Sequence, residues 1–201
     1  MTKGILMLFL AVVVLGGGAL AGVFLLTGPQ HRLDSVDRQA VGLLARGEIG
    51  KATAIWEDLH EQRPQNIDYI NRLGIAYTQA KDYARAEAFF RQAMKIDEEE
   101  PQAYFNLALL RLQQEQMEQA EEMLLKLLTI ADWYPEANYH LGYICQKTGR
   151  LGEAQEYYVR EINVNGSSAK AWRGYLALKE DEYQAENRGE FGDSESSSGV
   201  D

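Results

Sequence analysis

The sequence has very few of the residues that build catalytic or metal sites. Its single cysteine, Cys145, cannot form an internal disulfide and so does not report the redox compartment. Its three histidines, His31, His60 and His140, stand in no metal-binding spacing such as H-E-x-x-H. A glycine-rich phosphate loop and a nucleophile elbow are also absent. The sequence therefore predicts a protein that is not an enzyme and holds no cofactor or metal.

Basic residues are also scarce, because 20 lysines and arginines stand against 30 acidic residues. Affinity for nucleic acid comes mainly from clustered basic side chains, and the sequence shows no basic stripe, so we expect no nucleic-acid partner. The acidic run from Asp97 to Glu100 comes just before Pro101. Acidic residues favour a helix N-terminus, so this run is interpreted as a turn and not as an acid–base site.

Charge is absent altogether from the segment between Gly4 and Leu26. As a helix rising ~1.5 Å per residue, this segment reaches roughly 35 Å, enough to cross a bilayer core. Residues 1–28 are therefore predicted to be a transmembrane signal anchor. The alternative is a cleaved signal peptide with its A-x-A site at Ala19 to Ala21.

Either interpretation exports the rest of the chain. The prediction is a single-pass protein of the bacterial inner membrane, with the residues after the anchor in the periplasm. Basic residues stand on both sides of the segment, Lys3 before it and Arg32, Arg38 and Arg46 after it. The positive-inside rule is therefore weak here, and a cytoplasmic location stays open.

The sequence contains a repeat of 34 residues. Four sets of positions recur with this period, and we call each set a column. The first column is alanine, at Ala52, Ala86, Ala120 and Ala154. The others are leucine, a small residue and a large apolar residue, at Leu73, Leu107 and Leu141, then Gly74, Ala108 and Gly142, then Trp56, Phe90, Leu124 and Tyr158.

Each repeat reads as two amphipathic helices. Within the repeat that starts at Ile67, apolar residues recur at three- and four-residue steps in both halves, as in Ile70, Leu73 and Tyr77. Asp82 is placed to cap a second helix, and Gly149 to end a first one. We expect helices near 33–46, 49–62, 67–80, 83–96, 101–114, 117–130, 135–148 and 151–163, and a ninth near 168–185.

These columns resemble the tetratricopeptide repeat over residues 33–187. The resemblance divides the chain into repeats 33–66, 67–100, 101–134 and 135–168 and a capping helix 169–187. It implies an all-α fold, a right-handed superhelix of helix-turn-helix repeats, here preceded by one transmembrane helix. The tail 188–201, rich in serine, glycine and acidic residues, is predicted to be disordered.

Some positions depart from the pattern. Arg111 stands where an aromatic residue is expected, and a shift of the buried face onto Leu110 or Leu112 would cover it. Glu161 stands at a position that usually holds a small residue, so the second helix of its repeat is expected to be less buried. Pro101 and Pro135 are both expected at first helical positions, where the missing N–H costs nothing.

The resemblance implies a concave groove lined by the first helices of successive repeats. Its predicted floor residues are Asn71, Arg72, Ile75, Phe105, Asn106, Leu109, Tyr139, His140, Tyr143, Lys170 and Arg173. Amides can pair with a peptide backbone, aromatic rings supply apolar area and cations orient acidic groups. A protein or peptide partner in this groove is therefore expected.

The family's carboxylate clamp is not reproduced. Asn106 fits one of its slots, but Asn71, Gln102 and Ile75 stand where other clamp residues are expected. Chaperone tails that end in an acidic group are therefore not the expected ligands.

Three functions are compatible with this pattern. The first is a membrane-anchored adaptor for protein–protein interactions in the assembly of a membrane or cell-envelope complex. The second is a periplasmic holding chaperone for exported chains. The third is a self-assembling structural coat, in which the convex face of one array packs on the groove of the next.

Overall fold

The structure is a computed structural model that describes residues 29–195, and across that range every regular element is an α-helix. The helices are α1 (Pro29–Ala45), α2 (Ile49–Gln62), α3 (Ile67–Gln79), α4 (Tyr83–Ile96), α5 (Pro101–Gln113), α6 (Met117–Ile130), α7 (Ala137–Lys147), α8 (Leu151–Val164) and α9 (Ala169–Glu195). Helices α2 to α6 and α8 begin at the predicted residue and end within one residue of the predicted end. The predicted all-α fold is confirmed for the described residues.

The described helices form two compact units, divided between Lys81 and Asp82. The N-terminal unit holds α1, α2 and α3, and α2 packs against both of its neighbours. The C-terminal unit holds α4 to α9, in which each helix packs against the next and α9 also contacts α7. Packing between successive elements is what stacked repeats require. The handedness of a superhelix stays a prediction.

The repeating columns form the core of both units. All four alanines of the first column are fully buried, and the leucines and large apolar residues of the other columns are buried as well. In the C-terminal unit, two clusters hold these residues together, one around Leu124 and Leu141 and one around Ala154 and Tyr158. Because the repeating residues are buried, the constant period of the sequence corresponds to equivalent contacts between helices in successive repeats.

Each first helix ends in the same turn. A residue in the left-handed region closes it at Gly47, Lys81, Glu115 and Gly149, at the same place in each repeat. At Gly149, the N–H of Arg150 donates to the carbonyl of Cys145 at 2.8 Å, and the N–H of Gly149 donates to Gln146. These two bonds satisfy carbonyls at the end of α7, so the predicted role of Gly149 is confirmed.

The predicted cap at Asp82 and the predicted shift of the buried face next to Arg111 are also confirmed. The side chain of Asp82 accepts the N–H of Arg85 at 3.1 Å, which caps α4. Leu110 is buried and takes the place of the missing aromatic residue, while Arg111 pairs with Glu87 at 2.6 Å. Burial raises the pKa of Glu87, but hydrogen bonds from its arginine partners outweigh burial and hold that pKa below its ordinary value.

The predictions for Pro135 and Glu161 are wrong, and the two errors have one cause. Helix α7 begins at Ala137 because Glu136 adopts a left-handed conformation with φ of 64°. The carboxylate of Glu161 accepts the N–H of Glu136 at 3.3 Å and is almost fully buried. Burial raises the pKa of Glu161, while hydrogen bonds from the N–H groups of Glu136 and Tyr139 oppose that rise. A buried acceptor thus caps the start of α7 from the neighbouring helix.

Helix α9 is longer than predicted. It continues to Glu195, beyond the predicted end at residue 185, so the first part of the predicted disordered tail is helical. The residues from Glu180 to Glu186 include three glutamates, Gln184 and Ala185, which favour helix, and no proline stands between Lys179 and Glu195. Lys179 and Glu182 add an ion pair at 2.7 Å along the helix.

No helix among residues 29–195 has the length and apolar content needed to cross a bilayer. The predicted span, residues 4–26, lies outside the described residues, and so do residues 196–201.

Tyr158 has no room for an additional methyl group beside it. A Cβ added at Gly174 would lie 2.5–2.8 Å from the Tyr158 ring, and one added at Gly142 would lie 2.7 Å from it. The ring is fully buried, and its hydroxyl donates to Gln146 Oε1 at 2.8 Å. Burial raises the pKa of Tyr158 to about 12, so this donor stays protonated. Three helices therefore meet at one ring that cannot easily move.

Gly174→Ala is therefore expected to destabilise the protein. Overpacking typically costs about 1–3 kcal/mol, more than the roughly 0.5–1 kcal/mol that alanine gains over glycine inside a helix. Gly152→Ala is the matched control, because a Cβ at that glycine of α8 meets nothing within 4 Å. Chemical denaturation should show a loss for the first variant and a neutral or stabilising effect for the second. Equal stabilities would contradict the packing described.

Candidate functional site

The predicted groove residues divide between the two units. Three lie on α3 of the N-terminal unit, and the others lie on α5, α7 and α9 of the C-terminal unit.

On α3, the predicted roles change. Asn71 is fully buried inside the unit and does not present its amide to solvent. Arg72 is half-exposed, but its Nε lies 2.8 Å from Asp37 Oδ1, so its charge is already matched. Ile75 is half-buried. The expectation that Arg72 orients an acidic ligand is not supported by this pairing.

The same unit contains a pocket that sequence reasoning missed. Its volume is about 490 Å³, and its lining residues are Asp34, Asp37, Arg38, Asn66, Asp68, Tyr69 and Arg72. Asp37 also accepts the indole N–H of Trp56 at 2.9 Å, so it works as a structural acceptor. The only signal in the sequence was the spacing of Asp34 and Asp37, which places them on one side of a helix.

In the C-terminal unit, three of the predicted groove residues, Phe105, Tyr139 and His140, come together. The Phe105 ring of α5 lies 5.6 Å from the His140 ring of α7, and His140 lies 5.0 Å from Tyr139. Tyr134, from the loop before α7, joins them at 5.0 Å from Phe105. Tyr134 was not predicted, although its place directly before Pro135 marked it as a loop residue. We call Phe105, Tyr134, Tyr139 and His140 the aromatic cluster.

Asn106 lies next to Phe105 on α5, but its amide faces the inside of the unit. The residue is only 9% exposed, and its buried Nδ2 atom donates to no other group among the described residues. A buried amide without a partner is costly, so ordered water commonly satisfies such a group. Leu109, the next groove position along α5, is half-buried and adds apolar surface.

The cations of this unit differ in availability. Lys170 Nζ lies 2.9–3.0 Å from the carboxylate oxygens of Glu136, and 5.7 Å from the centre of the Tyr139 ring. Arg173 is exposed and pairs with no acidic group among residues 29–195. Tyr143 is half-buried, with Lys147 Nζ 5.6 Å from its ring centre. Arg173 is therefore the cation best placed to meet an external acid.

His140 is neutral at physiological pH. Its pKa is lowered to about 4, mainly by burial; nearby Glu136 opposes the change, and Lys170 contributes to it. Its Nε2 lies 3.8 Å from Glu136 Oε2. The aromatic cluster therefore carries no charge of its own at neutral pH, and His140 acts in it as a ring and a hydrogen-bonding group.

The described residues offer little for catalysis. No group of three or more histidine, cysteine or acidic residues in the range 29–195 is arranged to hold a metal ion. Cys145 is fully buried, and burial raises the pKa of its thiol, which disfavours the nucleophilic thiolate. The chemistry that these residues support is recognition of a partner by the rings of the aromatic cluster, with Arg173 as an exposed cation on α9.

Two family models, each described as tetratricopeptide repeat, match residues 77–132 and 135–164. These matches confirm tetratricopeptide repeats over the matched residues. Comparison with curated proteins finds no match.

Solved structures share the fold. Pseudomonas aeruginosa pilF is 19% identical, with 86% of this chain and 78% of that one covered and a TM-score of 0.70. MamA is 18% identical, with coverage of 71% and 84% and a TM-score of 0.60. The first TPR of Spaghetti (RPAP3), bound to an HSP90 peptide, is 18% identical, with coverage of 59% and 94% and a TM-score of 0.53. At these identities, the likeness shows the fold alone.

The neutral state of His140 predicts a pH-dependent stability. The pKa of His140 is about 4 in the folded state, below its ordinary value of 6.5. The contribution of His140 to the free energy of unfolding is therefore fully present above pH 6.5 and is lost as the pH falls towards 4. Relative to His140→Phe, which keeps a ring in the cluster, the wild type should lose up to about 1.4 kcal/mol per pH unit across that window. Carboxylates titrate in both proteins and cancel in the difference. Parallel curves of unfolding free energy against pH would refute the prediction.

Proposed function

We propose that the tetratricopeptide repeats of this chain form a protein-interaction module that binds a peptide segment of a partner protein at the C-terminal unit. The observation that carries the proposal is the aromatic cluster, in which Phe105 of α5 meets Tyr134 and His140. These rings are half-buried, so a partner segment that packs on them removes further apolar surface from water.

The surrounding residues add affinity and direction. Aromatic rings contribute large contact areas with little loss of side-chain freedom, and buried aromatic anchors dominate the energy of many interfaces. Arg173 supplies an unmatched positive charge, so a partner segment with an acidic residue near the bound stretch is favoured. Arg72 and Lys170 contribute less to this preference, because each already has an internal carboxylate partner.

The wider role we propose is a membrane-anchored adaptor in the assembly of a membrane or cell-envelope complex of a bacterium. The support is the uncharged segment from Gly4 to Leu26 together with the repeat array that follows it. In this proposal, the segment holds the protein in the inner membrane, and the array captures its partner on the periplasmic side. The anchor concentrates the array at the site where envelope proteins emerge.

Binding is tested in cells with a photo-crosslinking residue at Leu109, near the aromatic cluster, and with the same residue at Leu125 on α6 as the control. We expect Leu109 to capture one stoichiometric partner. Phe105→Ala should then lower its yield about tenfold or more, as for a buried aromatic anchor. Arg173→Glu should lower the yield mainly at low salt, whereas Arg160→Glu, another exposed arginine of this unit, should not.

Other outcomes of the same experiment identify the alternatives. Many captured clients would indicate a holding chaperone, and capture of the chain itself would indicate a coat. Wild-type yields for Phe105→Ala and Arg173→Glu, with unchanged helicity, would show that this surface is not the binding site.

Anchoring is tested by fractionation of the full chain. A spanning helix is held by apolar burial, so the protein should stay with membranes through high-salt and alkaline washing. Release by alkali with a mature N-terminus at Gly22 would establish the cleaved signal peptide instead.

A further inference from the structure

Helix α9 exposes a stripe of large apolar residues. Trp172, Leu176 and Tyr183 are 42%, 57% and 59% exposed. They share one side of the helix, because steps of four and seven residues return to nearly the same direction. The opposite side of α9, with Ala171 and Leu178, is buried against the rest of the unit.

The residues that correspond to Trp172 and Leu176 in earlier repeats of the unit are covered by other helices. The residues one and two repeats before Trp172 and Leu176 lie on α7 and α5, and all are buried: Asn138, Gly142, Tyr104 and Ala108. In those repeats, the second helix packs on the first. No helix follows α9 among the described residues, so its stripe lacks the cover that the repeat architecture supplies to α5 and α7.

Part of this stripe is held in place before any partner arrives. The indole N–H of Trp172 donates to the carbonyl of Gly166 at 3.0 Å. The ring also makes an edge-on contact with Tyr175, with centroids 6.3 Å apart. A rigid, exposed aromatic ring loses little entropy on binding, which favours an interface.

The order of residues along the stripe is complementary to itself. About the midpoint between Lys179 and Glu180, Leu176 lies as far on one side as Tyr183 lies on the other. When two such helices run antiparallel about that midpoint, Leu176 faces Tyr183 of the second copy. Lys179, which pairs with Glu182 in its own helix, likewise faces Glu180 of the second copy, so opposite charges meet at the centre.

We propose that α9 is a homodimerisation helix that pairs antiparallel with α9 of a second copy through Trp172, Leu176 and Tyr183. This interface goes beyond the peptide-binding function and does not depend on it. From Trp172 to Asn187 the contact spans about four helical turns, roughly 24 Å at 1.5 Å per residue. A contact between two single helices of this length is small compared with stable complexes, which bury roughly 1,200–2,000 Å², so we expect a weak dimer that forms at high local concentration.

The first test measures the mass of the full chain in detergent by sedimentation equilibrium over a range of concentrations. The wild type should be in monomer–dimer equilibrium. Leu176→Asp should weaken the dimer at least about tenfold, because it places a charge opposite an aromatic ring. Leu125→Asp is the matched control, since Leu125 of α6 is also an exposed leucine, at 42%. A dimer that persists in Leu176→Asp would overturn the proposal and assign the contact to another segment, such as residues 4–26.

A charge exchange tests the register. Lys179→Glu and Glu180→Lys should each weaken the dimer, because like charges then meet at the centre. The double exchange restores opposite charges and should recover much of the affinity. A double variant as weak as the single variants would exclude this register.

A crosslinking scan tests the direction of pairing. With a short bismaleimide, Glu180→Cys should crosslink to itself, because residue 180 lies beside the two-fold axis. Trp172→Cys should not, but a mixture of Trp172→Cys and Asn187→Cys should crosslink. The unmodified chain is the control, since its only cysteine, Cys145, is buried. Equal self-crosslinking at positions 172 and 180 would indicate a parallel or non-specific contact and overturn the proposal.

Discussion

Close approach of helices at small residues is the constraint on which the rest of this structure depends. The alanine column is fully buried at every repeat, and the large apolar residue four positions later fills the space that the alanine leaves. Tyr158 shows how strict this arrangement becomes, since Gly142 and Gly174 leave room for its ring and for nothing more. Because close packing is required at each repeat, the spacing of the columns is preserved even where the surrounding residues change.

At two positions where the apolar pattern fails, Arg111 and Glu161, a charged residue has a partner at a neighbouring helix. Arg111 pairs with Glu87. In the turn before α8, Arg150 similarly forms two hydrogen bonds to Glu121 of α6, at 2.6 and 2.8 Å. Glu161 uses its buried carboxylate to cap α7. Partly buried pairs of this kind fix the register of one helix against another more than they add to stability. The irregular columns therefore help to define how the helices dock.

The sequence predicts those features of the fold that repeat with a fixed period. The helices, the turn at Gly149, the cap at Asp82 and the shift onto Leu110 all follow from local spacing. The start of α7 could not be predicted, since it depends on Glu161, which accepts the N–H of Glu136 from a distant part of the chain. Three residues of the aromatic cluster, Phe105, Tyr139 and His140, were predicted from the resemblance to the repeat and do meet, whereas Tyr134 was not predicted. The ion pairs of the groove cations were not predicted. Arg72 pairs with Asp37 and Lys170 with Glu136, and each pair joins residues that are far apart in the sequence, so no local pattern indicates it.

The contact between Lys170 and Glu136 changes what an acidic ligand can gain at this surface. Both oxygens of Glu136 already lie within hydrogen-bond distance of the ammonium group. An incoming carboxylate must therefore displace Glu136 from Lys170. Its net gain in binding free energy is only the difference between its own contact with Lys170 and the contact that Glu136 loses. Simple anions at ordinary concentration gain little from this exchange, since they lose freedom that the tethered Glu136 has already lost. Discrimination among ligands then depends on the shape that fits the aromatic rings, while the acid–base pair acts as an internal competitor that rejects poorly fitting acids.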